Sequence, residues 1–218
     1  MTNLPKEKLP KENLPQTNPR EMVETAFLAS TTAMLFLINY YFPLGPLLRM
    51  LFPLPTALAY LRWSGRASWM SMVVTALLLA ILMGPTRSIQ YIVPHGLVGI
   101  TLGYLWKRNF PWSGSLSIAT MIGSIGTAFQ FAFLSLLLGE NVWNYSIVQV
   151  TSLLNWLIQL FGSLEQPDFA TIQAFAIAAI IFSNFAYQLL VHLVAWIVLD
   201  RLGNSIPNPP KWIESLLA

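Results

Sequence analysis

Long apolar runs broken by short polar loops fill the chain from Ala26 to Ile197. A helix rises about 1.5 Å per residue, so a bilayer crossing takes about 20 predominantly apolar residues. On that measure the pattern predicts six spans, at about 22–41, 47–63, 68–83, 88–106, 115–138 and 169–199. The first stops at a Pro43-Leu44-Gly45-Pro46 turn. The second is short and holds Pro53 and Pro55. Gly84-Pro85 ends the third, and the fourth carries Pro94 in its outer half. The fifth and sixth are long, and a long apolar stretch fits a bilayer by tilting. The expected fold is an all-α polytopic membrane protein, with a six-helix membrane domain over residues 22–203 and a cytoplasmic C-terminal tail over 204–218.

The stretch 142–162 is apolar but carries Asn144, Thr151, Asn155 and Gln159 near one helical face, with Trp143 and Trp156 suited to a headgroup region. It reads as an amphipathic interfacial helix or a partly re-entrant lid between the fifth and sixth spans; a seventh span is the alternative. Residues 1–21 are polar, with Leu-Pro recurring at Leu4-Pro5, Leu9-Pro10 and Leu14-Pro15. Proline at this density blocks helix, so the reading is a disordered cytoplasmic tail, with a docking peptide as the alternative.

Charge sets the orientation. With six spans, one side receives Lys6, Lys8, Lys11, Arg20, Arg62, Arg66, Lys107, Arg108, Arg201 and Lys211, which is 10 of the 12 cations. The other side has only Arg49 and Arg87. The positive-inside rule then places both termini in the cytoplasm, in a bacterial plasma membrane or an internal membrane. A seventh span moves Arg201 and Lys211 outside.

Composition agrees. Hydrophobic residues make up 55% of the 218 and charged residues 10%, with 8 of the 21 charges in the first 24 positions. A soluble domain is about a quarter charged, so this chain cannot cover a globular surface in water. A soluble enzyme, a disordered protein and a nucleic-acid binder are set aside; the net charge of +3 reflects loops, not a basic patch. The absence of cysteine excludes disulfides, thiolate metal sites and a cysteine nucleophile.

No catalytic constellation is visible. No two acids share a span, HExxH and Walker A sequences are missing, and Trp112-Ser113-Gly114-Ser115-Leu116 lies at a span boundary. No enzyme activity, cofactor or metal is expected. The polar residues of interest lie at one depth. Arg49 and Arg87 stand near the outer ends of their spans, where intramembrane charge needs a reason: snorkelling to headgroups, or a cationic rim over an outward pocket favouring an anionic or carbonyl-bearing ligand. His95 follows Pro94, which frees a backbone carbonyl one turn earlier. Asn39, Gln90, Gln130 and Gln173 share that outer depth. The candidate ligand-binding set is Asn39, Arg49, Arg87, Gln90, His95 and Gln130, with a structural role as the alternative for the histidine. His192 and Asn184 read as helix–helix hydrogen-bonding residues. Small residues at four-residue spacing, Ala29 with Ala33 and Ala174 with Ala178, allow close helix approach, within the chain or against a partner.

Two stretches carry a resemblance: Phe52-Pro-Leu-Pro-Thr-Ala-Leu-Ala-Tyr-Leu-Arg62-Trp-Ser-Gly65-Arg66-Ala67, and Met83-Gly-Pro85 with His95-Gly96-Leu-Val-Gly99-Ile-Thr-Leu-Gly103-Tyr-Leu-Trp-Lys107-Arg108. Over about residues 25–200 the chain resembles the YybS-like family of predicted bacterial membrane proteins, a domain of unknown function. In that family a proline-containing short helix leads to an Arg-x-Gly-like turn, and a Gly-x-x-Gly-x-x-x-Gly helix ends in paired basic residues. The turn here, Arg62-Trp-Ser-Gly65, is one residue longer.

That family is distantly similar to the S components of energy-coupling factor (ECF) transporters and to the rod-shape protein MreD. The first similarity implies an S-component-like six-helix bundle with an outward ligand pocket. It also implies an Ala-x-x-x-Ala docking motif, matched by Ala29 and Ala33, for a transmembrane T component working with ABC-type ATPases. The second implies a non-transporting scaffold or assembly factor that binds a larger membrane complex. The expected function is the S-component-like uptake subunit, binding a small molecule, with the scaffold as the alternative.

Overall fold

The computed structural model describes residues 18–42, 46–160, 168–204 and 206–210. The sequence readings for residues 1–17, 43–45, 161–167, 205 and 211–218 lie outside that range. Within it the chain is helical: α1 Pro19–Tyr41, α2 Pro46–Arg49, α3 Leu54–Arg62, α4 Gly65–Met83, α5 Pro85–Gln90, a π-turn Tyr91–Gly96, α6 Leu97–Lys107, α7 Trp112–Leu138, α8 Val142–Leu160 and α9 Phe169–Arg201.

The boundaries follow from local chemistry. Asn18 Oδ1 caps α1 by accepting from the Arg20 amide at 3.2 Å, and Pro19 sits at the first helical position, where no N–H is needed. Pro19, Arg20 and Glu21 therefore belong to the helix and not to the tail. Gly84, at φ +89, breaks the chain between α4 and α5. Gly139, at φ +71, ends α7 in the left-handed conformation that glycine adopts without strain. Asp168 caps α9, accepting from the Thr171 amide at 3.2 Å.

Among the described residues four helices are long and apolar enough to cross a membrane: α1, α4, α7 and α9. The second and fourth expected spans are not continuous helices. Residues 47–63 resolve into α2 and the nine-residue α3, which at about 1.5 Å per residue is about 14 Å long, half a bilayer core. Residues 88–106 break at Val93, whose φ of −119 and ψ of 113 are extended, before Pro94. α8 is not among the helices of membrane-crossing length and hydropathy.

The short helix α3 is the hub. Leu54 through Ala59 are all buried. α6 lies against it through two glycines: a Cβ on Gly99 would stand 2.7 Å from the Pro53 carbonyl oxygen, and one on Gly103 would stand 2.9 Å from that of Ala57 and collide with Tyr60. Ser68 of α4 donates to the Thr56 carbonyl at 2.8 Å, and Thr56 and Tyr91 share a hydroxyl–hydroxyl bond of 3.0 Å. Lys107 Nζ donates to the Tyr60 and Trp63 carbonyls at 3.2 and 2.9 Å, occupying acceptors at the end of α3 that have no partner within the helix.

α1 packs on α4 through Ala29 and Ala33, which are 0% and 3% exposed, and Thr75 donates to the Ala29 carbonyl at 3.1 Å. This corrects the expectation that the pair faces a T component: their small side chains form the α1–α4 seam. Ala174 and Ala178 are exposed on α9. α7 and α9 are joined by polar contacts inside the bundle. His192 Nδ1 donates to the Gln188 carbonyl at 2.8 Å, which leaves Nε2 to accept from Ser115 Oγ at 2.9 Å, while the rings of Trp106 and Trp112 lie 5.4 Å away on either hand. Asn184 Nδ2 donates to Thr127 Oγ1 at 3.2 Å. Both residues act between helices, as their positions suggested.

Candidate functional site

The breaks in the bundle make room. Where α2–α3 and α5–α6 fail to run straight, a cavity of 1090 Å³ opens between them, α1, α7, α8 and α9. Asn39, Arg49, Arg87, Gln90, His95 and Gln130 all line it. Gln173 does not. α9 adds Ser183, Asn184, Tyr187 and Gln188, and α8 adds Trp143, Ser146 and Val150.

Pro94 builds the rear wall. Its ring nitrogen carries no hydrogen, so the carbonyl of Gln90, four residues earlier, loses its helical donor. Gln130 replaces it: its Nε2 donates to the Gln90 carbonyl at 3.3 Å and to that of Val93 at 3.1 Å. Gln130 thus has a structural duty, and only its Oε1 remains for a ligand. Gly126 lets α7 come this close, since a Cβ there would meet Pro94 Cβ at 2.5 Å. Leucine at Gln130 should strip both carbonyls of their donor. A lost partner costs about 1–3 kcal/mol, and water in the cavity can stand in for the amide, so a loss of about 1 kcal/mol is expected. Thermal unfolding of the purified variant checks it.

His95 lies within 5.3 Å of the Phe52 ring, edge to face, and its Nδ1 stands 3.4 Å from the Tyr187 hydroxyl. Tyr187 has one proton and donates it to the Arg49 carbonyl at 2.7 Å. The imidazole N–H must then be the donor to Tyr187, which turns Nε2 into an acceptor.

The two arginines differ. Arg87 is fixed: its guanidinium lies 4.7 Å over the Tyr40 ring and its Nη1 donates to Gln90 Oε1 at 2.8 Å. Arg49 is exposed, and its side chain makes no hydrogen bond among the described residues. Neither has a carboxylate partner there, because the ion pair present joins Arg62 to Glu24. Among the described residues no Asp or Glu lines the cavity. Two buried oxygens that need donors also face this region with none among the described residues, Asn39 Oδ1 and Gln188 Oε1. The site is therefore a net-positive, hydrogen-bonding chamber walled by Phe36, Tyr40, Phe52, Phe131 and Trp143. No group of three or more metal-ligating side chains occurs among the described residues.

Tyr187 and Gln188 were not singled out in the sequence. The available signal was a stripe: Asn184, Tyr187, Gln188 and His192 fall at i, i+3, i+4 and i+8 on one face of an apolar helix.

With four membrane-length apolar helices and a polar interior chamber among its described residues, the chain is a multi-pass membrane protein. It belongs to the family described as "Predicted membrane protein (DUF2232)", which matches residues 30–215. No curated protein and no solved structure matches the chain.

Proposed function

We propose that the chain is a substrate-binding membrane subunit of an uptake system, S-component-like in kind, that takes a small anionic molecule into its cavity from the outer side. One observation carries the reading. Six polar residues scattered over α1, α2, α5, the π-turn and α7 converge on a single chamber with two arginines and, among the described residues, no carboxylate. Its 1090 Å³ is close to the upper end of the range of about 300–1,000 Å³ usual for small-molecule sites.

In this reading α2–α3 and α5–α6 complete six crossings, interrupted where they line the cavity, as polar backbone inside a bilayer requires. Both termini lie in the cytoplasm of a bacterial cell, and α8 closes the chamber as a lid through Trp143 and Val150. ATP is hydrolysed by separate ABC-type ATPase subunits that reach this chain through a T component. That component docks on a surface other than Ala29 and Ala33.

The test is a pull-down from the native host in mild detergent with all co-purifying proteins identified. A T component together with ABC-type ATPases is the expected recovery. A different stable complex without ATPases overturns the transport reading and makes the protein a scaffold or assembly factor of the MreD kind.

A further inference from the structure

A second, smaller space lies against the chamber. Ser124, Ile125, Ala128 and Ala132 of α7 and Ile177 and Ile181 of α9 line a groove of 530 Å³ that is almost wholly apolar. It is set in the exposed apolar face of the α7–α9 pair, where Ile125 is 60% and Ile177 51% exposed; in a membrane protein that face meets lipid. Phe131, Trp143 and Ile180 line both the groove and the chamber, so the two spaces have a common wall. Phe131 and Trp143 meet edge to face at 5.9 Å. Trp143 is carried by α8, whose apolar anchorage is the small cluster around Ile147, Ile172 and Ala176.

We propose that the ligand is an amphipathic anion with one apolar chain: its acidic head sits between Arg49 and Arg87, and its chain leaves between α7 and α9 across the Phe131–Trp143 wall. This rests on the reading of the chamber as an anion-binding site. The chamber supplies two guanidinium groups and, among the described residues, no carboxylate, which selects the head. The groove supplies apolar surface continuous with the bilayer, which selects the chain. A chain already dissolved in lipid gains little by entering an equally apolar groove. The groove therefore acts as a route rather than a source of affinity, letting the head reach the arginines while the chain stays out of water.

The experiment uses the full chain in phosphatidylcholine nanodiscs, with empty nanodiscs subtracted. The probes are radiolabelled decyl phosphate and methyl phosphate. Ala132→Trp and Ile177→Trp fill the groove from its two walls at exposed positions. Each should weaken decyl phosphate binding about tenfold, the scale of an overpacked site, and leave methyl phosphate binding unchanged. Arg87→Gln should weaken both probes. Unchanged decyl phosphate binding in both tryptophan variants, with Arg87→Gln still weakening both probes, overturns the chain route and leaves the anion site standing. Loss of methyl phosphate in both tryptophan variants also counts against the route, because their effect is then not confined to the chain. Undiminished binding of both probes by Arg87→Gln, or binding of neither by the wild-type protein, overturns the anion site itself.

Discussion

Leucine at Gly103 is expected to abolish the folded protein, and alanine at the same position to weaken it measurably. Gly103 is where α6 crosses α3, the buried nine-residue helix on which α1, α4 and α6 converge. A single Cβ there already stands 2.9 Å from the Ala57 carbonyl oxygen and collides with Cβ of Tyr60. Both obstacles are backbone or fixed to it, so neither can swing aside. Alanine gains about 1 kcal/mol of helix propensity over glycine, while overpacking costs about 1–3 kcal/mol, so steric cost wins. Leucine adds three more carbons with no added propensity. It must separate the helices, exposing Thr56 and the carbonyl that Ser68 now caps. Gly114→Ala is the control. Its obstacle is the Phe110 ring, the far end of a side chain that is 39% exposed and can move. Size-exclusion profiles and thermal unfolding of the three variants in one detergent should rank them Gly114→Ala, Gly103→Ala, Gly103→Leu from most to least stable. A normal monodisperse profile for Gly103→Leu would mean that the α3–α6 crossing is not the hub of the fold.

How much of this was legible in the sequence depends on whether the cause is local. Pro94 could be read directly: a proline inside an apolar run frees the carbonyl of Gln90 wherever the helix goes. The residue that caps that carbonyl, Gln130, lies 40 positions later, and nothing in its own surroundings names its partner. Membrane-depth arithmetic nevertheless put it at the level of Asn39, Arg49, Arg87, Gln90 and His95, and all six line one chamber. Depth is legible because it follows from counting along each span. Rotation is legible only where a polar stripe marks one face, as Asn184, Tyr187, Gln188 and His192 do on α9; elsewhere lipid and core are both apolar. That is why Ala29 and Ala33 could be recognised as a close-contact pair while the element they touch, α4, could not. It also explains the second span. The run 47–63 has enough apolar residues to count as a crossing, but Pro53 and Pro55 confine its regular helix to Leu54–Arg62, and the burial of that helix inside the bundle is a tertiary fact.

The other large effect concerns the two arginines. Replacing both Arg49 and Arg87 by glutamine is expected to remove methyl phosphate binding from the chamber, a loss of at least about 100-fold. Hydrogen bonds to charged groups contribute about 1.5–3 kcal/mol each, and every 1.4 kcal/mol is a factor of ten, so two such contacts reach that figure at the low end. The single variants should not be equal. Arg87 is held in place before any ligand arrives, by the Tyr40 ring beneath it and by Gln90 Oε1. Arg49 is exposed and must be ordered on binding. Ordering a long side chain costs about 0.5–1.5 kcal/mol, so Arg49→Gln should lose several-fold less than Arg87→Gln. Salt separates them further. Exposed charges are screened over about 10 Å at 0.1 M ionic strength and partly buried ones much less, so raising salt should erode the contribution of Arg49 first. Lysine at position 87 keeps the charge but not the planar fork that lies on Tyr40, and it should fall between arginine and glutamine. Titration of the single and double variants at two ionic strengths checks all of this. Equal single losses, with equal salt dependence, would mean that the Tyr40–Gln90 clamp does not prepare Arg87 for a ligand.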